Sequence, residues 1–172
     1  MTPWHEQRSL HGGVDQIPLP GSRGQLWLSG KHFVGPDPEL ALRVIGGSTV
    51  VCLTEQRELA DRYPQYVEWL SERAGEAALL FPIPDFGAPD LDQAIALIDL
   101  LLHRLEIGHG LLIHCAGGIG RSGTIAVALL MAMGAERTEA MATVAAHRPM
   151  AGPEAGEQRE FLIALERRLS GL

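Results

Sequence analysis

Residues 110–123 read GLLIHCAGGIGRSG, and this stretch decides the fold class. The apolar run that ends at His114 predicts a buried strand, and the small residues after it predict a tight loop. The segment that follows Arg121, SGTIAVALLMAMG, has helical composition and a glycine stop at Gly134. We therefore predict a strand, a glycine-rich loop and a helix that begins where the loop ends.

The loop between Cys115 and Arg121 has the composition of an anion-binding site. Small side chains allow successive backbone N–H groups to point at one centre, and the first turn of the following helix adds unpaired N–H groups and a favourable dipole. We predict that this loop binds phosphate through Ala116, Gly117, Gly118, Ile119, Gly120 and Arg121.

The side chains around the loop suggest nucleophilic chemistry. A helix N-terminus and a nearby arginine stabilise the thiolate form of a cysteine, so Cys115 is the expected nucleophile. Arg121 offers a planar pair of donors for two phosphate oxygens, a geometry that lysine lacks. We expect His114 to point away and fix the loop through hydrogen bonds, and Ser122 to donate a hydrogen bond to the sulfur.

This stretch has two other interpretations. A single cysteine at a strand end is usually a small buried hydrophobe, but the glycines and Arg121 argue against that interpretation. Gly118–Gly123 also matches the glycine fingerprint of dinucleotide-binding folds. That fingerprint requires a second strand that ends in an acidic residue, whereas residues 137–147 look helical.

The sequence HCAGGIGRS at 114–122 resembles the signature of cysteine-dependent protein tyrosine and dual-specificity phosphatases: HC, five residues, R, then S or T. Within that superfamily the chain is most similar to the kinase-associated phosphatase type and related atypical dual-specificity enzymes. The resemblance covers most of residues 25–168. It implies a protein tyrosine phosphatase-like fold and hydrolysis through a phosphocysteine intermediate.

The resemblance also implies a general acid on a mobile loop, and FPIPDFGAP at 81–89 is similar to that loop. Asp85 is the expected acid, because the leaving oxygen must gain a proton as the P–O bond breaks. Asp90 and Asp92 are competing candidates. Asp90 precedes a helical pattern and is better explained as an N-cap, with Asp92 adding first-turn charge.

A third similarity lies in the segment 147–162, which resembles the arginine–proline turn of these enzymes followed by a helix. The resemblance implies that Gln158 positions the water that attacks the phosphocysteine. In the superfamily that this chain resembles, phosphoinositide phosphatases carry lysines inside the corresponding loop. This loop has none, so we expect a phosphoprotein or phosphopeptide substrate rather than a lipid.

The second cysteine, Cys52 in TVVCL, raises a question of redox protection. Several members of the superfamily pair the catalytic cysteine reversibly with a cysteine on a neighbouring strand. A register shift of one residue would point Cys52 to the opposite face of the sheet. We favour a core cysteine and keep the disulfide with Cys115 as the alternative.

Length and composition fit one enzyme domain. The chain has 172 residues, 46% of them hydrophobic, and a net charge of −7, which opposes binding to nucleic acid or anionic membranes. We find no secretory signal and no membrane-spanning run. Two cysteines suggest a reduced, cytoplasmic setting, and we expect a monomer.

The remaining pattern predicts an α/β fold with a mainly parallel central sheet of four to five strands flanked by helices. Residues 1–20 are expected to form an extended or partly disordered N-terminal arm, and 21–172 a single phosphatase domain. The predicted strands are QLWLSG, TVVCL, EAALLFPI and GLLIH; the predicted helices include PDPELALRVI, RELADRY, PQYVEWLSERA and LDQAIALIDLLLHRL.

The sequence therefore predicts a phosphomonoester hydrolase, a tyrosine or dual-specificity protein phosphatase. One alternative is a non-catalytic phosphate-binding module on the same fold. Another is a sulfurtransferase or arsenate reductase, whose active cysteine also heads an anion loop. The seven histidines show no ligand spacing, so neither a metal nor another cofactor is expected.

Overall fold

The computed structural model describes residues 1–172 and has one five-stranded sheet. The strands lie in the order β1-β2-β5-β3-β4, with β1 antiparallel to β2 and every other pair parallel. This mainly parallel sheet confirms the predicted fold class. The strands are β1 (Val14–Ile17), β2 (Gln25–Gly30), β3 (Thr49–Cys52), β4 (Ala78–Leu80) and β5 (Gly110–Cys115).

Helices cover both faces of the sheet. They are α1 (Arg8–His11), α2 (Lys31–Val34), α3 (Pro38–Ile45), α4 (Pro64–Glu72), α5 (Leu91–Glu106), α6 (Gly120–Ala132), α7 (Arg137–His147) and α8 (Gly156–Leu169), with short 3-10 helices at Trp4–Glu6 and Gln56–Glu58. None of these helices combines the length and the hydrophobicity that a membrane span requires. Because α6 leads into α7 rather than a strand, the dinucleotide-binding interpretation is wrong.

The sheet separates two hydrophobic cores, and β5 contributes to both. Alternate residues of a strand face opposite sides, so Ile113 and Cys115 lie in a core of 28 residues while Leu112 lies in a core of 14. All six residues of β5 are buried. The first core contains the central helix α6, in which the residues from Gly120 to Met131 are all buried. The loop between Cys115 and Arg121 thus joins the central strand β5 to the central helix α6.

Two predicted elements are shorter than expected. RELADRY was predicted as a helix, but only Gln56–Glu58 is helical, as a single 3-10 turn, and the chain then turns toward α4. Glu55 and Glu58 cap this turn reciprocally, which holds it apart from α4. The predicted strand EAALLFPI is limited to Ala78–Leu80, because the prolines that follow cannot donate to a ladder.

The N-terminal segment differs from the expected arm. Val14–Ile17 pairs with β2 over four residues, and Ile17 is 1% exposed in the first core. The partner strand supplies the hydrogen bonds that an isolated arm would lack. Helix α1 packs against α2, and its buried His11 lies against the Phe33 ring. Residues 1–20 therefore contain an edge strand of the sheet.

Candidate active site

The loop after β5 curls around the sulfur of Cys115. The Gly118 N–H donates to Cys115 Sγ at 3.2 Å, and the backbone at Gly118 has a φ of +73°. A Cβ at Gly118 would lie 2.4 Å from the Ser29 carbonyl, so only glycine fits this approach to β2. The loop conformation therefore depends on Gly118, one of the small residues from which the sequence analysis predicted a tight loop.

Several backbone N–H groups of the loop have no acceptor within the protein. They belong to Ala116, Gly117, Ile119, Gly120 and Arg121. Unpaired donors at a helix N-terminus form an anion-binding site, because both the N–H groups and the helix dipole favour negative charge. The predicted loop residues thus carry unpaired donors between the Cys115 sulfur and the first turn of α6.

Cys115 lies at the end of β5 and is 3% exposed. Its Sγ is 3.3 Å from the Ser122 hydroxyl, which is fully buried in the first turn of α6. Ser122 is thus placed to donate a hydrogen bond to a thiolate, as the sequence predicted. The sulfur receives two polar contacts, from this hydroxyl and from the Gly118 amide.

The Arg121 side chain is 2% exposed, and three of its N–H donors bind Glu58 and the Ile83 carbonyl. Nη1 donates to Glu58 Oε2 and to the Ile83 carbonyl, both at 2.8 Å, and Nη2 donates to Glu58 Oε1 at 2.7 Å. A guanidinium has five N–H donors, so two remain: Nε–H and the second N–H of Nη2. These two can bind two oxygens of one phosphate.

Glu58 is a site residue that the sequence analysis missed. It holds Arg121 in a two-pronged ion pair, and it lies in the segment that was predicted to be a helix. Burial alone would raise the pKa of Glu58, but hydrogen bonds from Arg121 and from the Glu55 amide lower that pKa below its usual value. Burial likewise opposes the charge on Arg121, but Glu58, Cys115 and Asp85 together outweigh it, so the pKa of Arg121 is raised.

Asp85 reaches the same arginine from the loop after β4. Its Oδ1 lies 3.3 Å from Arg121 Nη2, and its side chain is 59% exposed. The following residue, Phe86, has a φ of +58°, a strained conformation for a bulky residue, and its N–H donates to Asp85 Oδ1. The local backbone therefore fixes the carboxylate at the mouth of the loop.

The competing aspartates serve other purposes. Asp90 accepts from the Gln93 N–H at 3.0 Å and caps α5 as predicted. Asp92 forms an exposed ion pair with Arg168 at 2.9 Å. Neither carboxylate is in ion-pair distance of Arg121, whereas Asp85 lies 3.3 Å from it.

His114 points away from the loop into the second core. Its Nδ1 faces the Cys115 carbonyl at 3.1 Å, and its Nε2 faces the Tyr66 hydroxyl at 2.6 Å. A carbonyl only accepts hydrogen bonds, so Nδ1 must carry the proton and Nε2 accepts from Tyr66. Burial raises the pKa of Tyr66, which keeps this hydroxyl a donor. The chain Tyr66–His114–Cys115 carbonyl fixes the backbone at the nucleophile.

Gln158 is fully buried at the start of α8 rather than solvated. Its Oε1 accepts from the Glu154 N–H at 2.7 Å, and its Nε2 donates to the Gly87 carbonyl at 3.2 Å. Gly87 is two residues from Asp85, so Gln158 ties the Asp85 loop to α8. One N–H of its amide group is left for another partner.

Arg148 fixes the outer side of the loop, a role that the sequence analysis did not assign. It follows α7 and is 2% exposed. Its Nε donates to the Gly118 carbonyl at 2.6 Å and its Nη2 to the Gly117 carbonyl at 3.0 Å. These two carbonyls therefore face away from the sulfur.

Cys52 lies on the opposite face of the sheet from Cys115. It pairs in register with His114, so it occupies the second core, while Cys115 lies in the first. Its Sγ contacts the Thr54 hydroxyl at 3.2 Å. A disulfide requires Cβ atoms that point toward each other, so Cys52 and Cys115 cannot pair in this fold. Cys52 is the core cysteine that we favoured.

The sequence of this chain matches the model of a known domain family over residues 36–162, which include Cys115, Arg121 and Asp85. That model describes a Swiss Army Knife protein, DSP-PTPase phosphatase domain. The chain belongs to the DSP-PTPase phosphatase family. No group of three or more His, Cys, Asp or Glu side chains in this family member is placed to hold a metal ion.

Solved structures agree with this assignment. Tk-PTP in its active form is 34% identical to this phosphatase domain, with a TM-score of 0.69, and the match covers 88% of this chain and 99% of that one. Kinase associated phosphatase, crystallised with serine in place of its catalytic site cysteine, shares the fold at 22% identity and a TM-score of 0.77. That match covers 92% of this chain and 96% of that one.

Curated relatives match over a shorter span. Cyclin-dependent kinase inhibitor 3 of Rattus norvegicus is 37% identical over 73 residues, which is 42% of this chain and 31% of that protein. The Sus scrofa protein of the same name is 44% identical over 50 residues, which is 29% of this chain and 24% of that protein. The phosphatase domain thus aligns with less than a third of each of these relatives.

Replacing Glu58 by glutamine is expected to lower kcat/KM for p-nitrophenyl phosphate about tenfold, because Arg121 loses the carboxylate that orients it. The same change should destabilise the fold by about 1–3 kcal/mol at neutral pH, since a buried charge loses its partner. Steady-state kinetics and thermal unfolding measure the two effects. Glu55→Gln is the matched control, because the Glu55 side chain binds Arg57 rather than Arg121.

The same substitution has a pH signature. The folded-state pKa of Glu58 is depressed from 4.5, so its ion pair contributes stability above that pH and loses it as the pH falls through the depressed value. The difference in Tm between wild type and Glu58→Gln should therefore shrink on acidification. A difference that stays constant from neutral pH to well below 4.5 would show that the ion pair does not stabilise the fold.

Proposed function

We propose that this protein hydrolyses phosphomonoesters through a phosphocysteine intermediate. One observation carries the proposal: the buried Cys115 sulfur heads a loop with five unpaired amides, and Arg121, which keeps two donors free of hydrogen bonds, has its Nη2 3.3 Å from Asp85 Oδ1. Each group meets a separate requirement of phosphoryl transfer, namely a nucleophile, charge stabilisation and an acid. The presence of the acid favours hydrolysis over a phosphate-binding module or a rhodanese-type sulfurtransferase.

The first step transfers the phosphoryl group to sulfur. The Cys115 thiolate attacks phosphorus in line, so an S–P bond forms while the ester P–O bond breaks. The loop amides and Arg121 hold the equatorial oxygens throughout. The leaving oxygen takes the proton of Asp85 and departs as an alcohol or phenol.

Substrate binding prepares Asp85 for this role. The Arg121 donor that faces Asp85 is one of the two left for phosphate, so a bound dianion competes with the carboxylate for it. Once the arginine binds the phosphate, the Asp85 side chain is released from this ion pair. The acid is thereby coupled to occupancy of the loop.

The second step returns the enzyme to its starting state. Asp85, now a carboxylate, accepts a proton from water as the water oxygen attacks phosphorus. The P–S bond breaks, inorganic phosphate forms, and the sulfur leaves as a thiolate. Ser122 stabilises this leaving thiolate through its hydroxyl, which lies 3.3 Å from Sγ.

We propose that Gln158 assists this second step, directly through its free amide N–H or by holding the Asp85 loop. If it places the water, Gln158→Ala makes dephosphorylation rate-limiting, and rapid mixing should show a burst of about one p-nitrophenolate per enzyme. The control is Glu157→Gln, an exposed neighbour on α8. A lower kcat without a burst would assign Gln158 to the loop alone and reject a role with water.

The proposed substrate is a phosphoprotein or phosphopeptide, with dual specificity. The loop side chains carry no lysine for additional phosphates, and Phe86 stands 59% exposed beside the acid, where it can contact a peptide or a phenol ring. The match to the DSP-PTPase family model supports this class. A panel of phosphotyrosine, phosphothreonine and phosphoinositide substrates tests it, and a preference for the lipid would reject it.

We propose that the monomer is active and works in the cytoplasm. One chain supplies every group in the mechanism, so no second copy is needed to complete the site. Both cysteines are free and buried, and a thiolate nucleophile requires a reducing compartment. The basic test of the whole proposal is turnover of p-nitrophenyl phosphate by the purified protein, and its absence would reject the proposal.

A further inference from the structure

The N-terminal strand β1 places one carboxylate beside Arg148, the residue that binds two carbonyls of the loop after β5. Asp15 on β1 accepts from Arg148 Nη1 at 2.7 Å and also pairs with Arg8, through Nη2 at 2.7 Å and Nη1 at 3.1 Å. Asp15 lies outside the span 36–162 that the family model matches. The contacts that hold this loop therefore include a residue outside the span that the family model matches.

Arg148 controls the direction of two peptide groups. It binds the carbonyls of Gly117 and Gly118, whose peptide planes carry the N–H groups of Gly118 and Ile119. In a trans peptide the C=O and the N–H point in opposite directions. Holding both carbonyls toward Arg148 therefore turns the Gly118 N–H toward Cys115 Sγ and the Ile119 N–H toward the same side.

Asp15 in turn fixes Arg148. The Arg148 side chain is 3% exposed, and Asp15 is the one carboxylate within ion-pair distance of it. Two backbone carbonyls, at Gly12 and Gly13, accept weaker bonds from the same guanidinium. Without Asp15 a buried positive charge would lack its counter-ion, and the guanidinium would lose the contact that sets its position.

We propose that Asp15 is a positioning residue for the phosphate-binding loop, through which the N-terminal strand sets the affinity of the site for phosphate oxygens. The inference rests on the proposed function, because it assigns the loop amides to phosphate. Asp15 acts through geometry: the N–H groups of Gly118 and Ile119 keep their direction toward the anion as long as Asp15 holds Arg148. Arg8, on the exposed side of the same carboxylate, is not part of this path.

Asp15→Asn tests the inference because it keeps the shape of the side chain and removes its charge. We expect the Kd for inorganic phosphate, measured by calorimetry, to rise about tenfold and kcat for p-nitrophenyl phosphate to fall by a similar factor. Arg8→Gln is the matched control: it removes the other partner of Asp15 and should leave both constants within about twofold of wild type.

Two further measurements keep the result interpretable. Thermal unfolding of each variant reports folding, and if Asp15→Asn is unfolded, Asp15→Glu replaces it, since it keeps the charge but moves the carboxylate by one methylene. A folded Asp15 variant whose Kd and kcat both match Arg8→Gln overturns the inference. A wild type without turnover rejects the proposed function, yet its phosphate affinity and the effect of Asp15→Asn on it still decide the role of Asp15.

Discussion

Changing Cys115 to serine is expected to lower kcat for p-nitrophenyl phosphate by at least about four orders of magnitude. The hydroxyl of serine is not ionised at neutral pH, whereas the loop amides and Arg121 favour a thiolate. Because the neighbouring Ser122 hydroxyl is not ionised at neutral pH either, little turnover should remain. Steady-state release of p-nitrophenolate measures the loss.

Phosphate binding separates this chemical effect from damage to the fold. The Cys115→Ser protein should still bind inorganic phosphate, because the loop amides and Arg121 are intact. Cys52→Ser is the matched control: it makes the same atom change at a buried cysteine on the opposite face of the sheet, and it should keep most of the activity. Turnover by Cys115→Ser near the wild-type rate would exclude a phosphocysteine mechanism.

Asp85→Asn is expected to reduce kcat about 10²- to 10⁴-fold on an alkyl phosphate such as a phosphothreonine peptide. An alkoxide is a poor leaving group, so it depends on the proton that asparagine cannot supply. p-Nitrophenolate is a better leaving group, and the loss with that substrate should be smaller. Comparing kcat for the two substrates measures this dependence on the leaving group.

Asp92→Asn is the control for Asp85, because Asp92 is an exposed carboxylate paired with Arg168 outside the loop. We expect it to leave kcat within about twofold of wild type for both substrates. If Asp85→Asn changed kcat by less than about threefold on the peptide, where a general acid predicts at least a hundredfold, the acid would have to be another group. Equal losses on both substrates would instead indicate that Asp85 acts by orienting Arg121.

The central part of the site was predictable because its signals are local. The apolar run to His114, the small residues and Arg121 lie within one short stretch, and the structure folds them as the predicted strand, loop and helix. The N-cap at Asp90 was also readable from its position before a helical pattern. A site whose residues lie within one short stretch can therefore be predicted from the sequence alone.

The residues that were missed depend on contacts between distant parts of the chain. Glu58 is 63 residues from Arg121, and helical composition in its segment concealed the single turn that presents its carboxylate. Asp15 is 133 residues from Arg148, and its strand has one fully buried apolar residue, Ile17, which is too weak a pattern to predict a strand. Gln158 was named through the family resemblance, but its burial could not be predicted, because it depends on a distant partner, the Gly87 carbonyl 71 residues away.

The strand order has a consequence for any fragment that begins where the family match begins. A chain that starts at residue 36 lacks β1 and β2, so β5 changes from the middle of the sheet to its edge. The backbone of β5 would then be open to pairing with other molecules, directly before Cys115. Such a fragment would retain the signature sequence of a phosphatase but expose its central strand to aggregation.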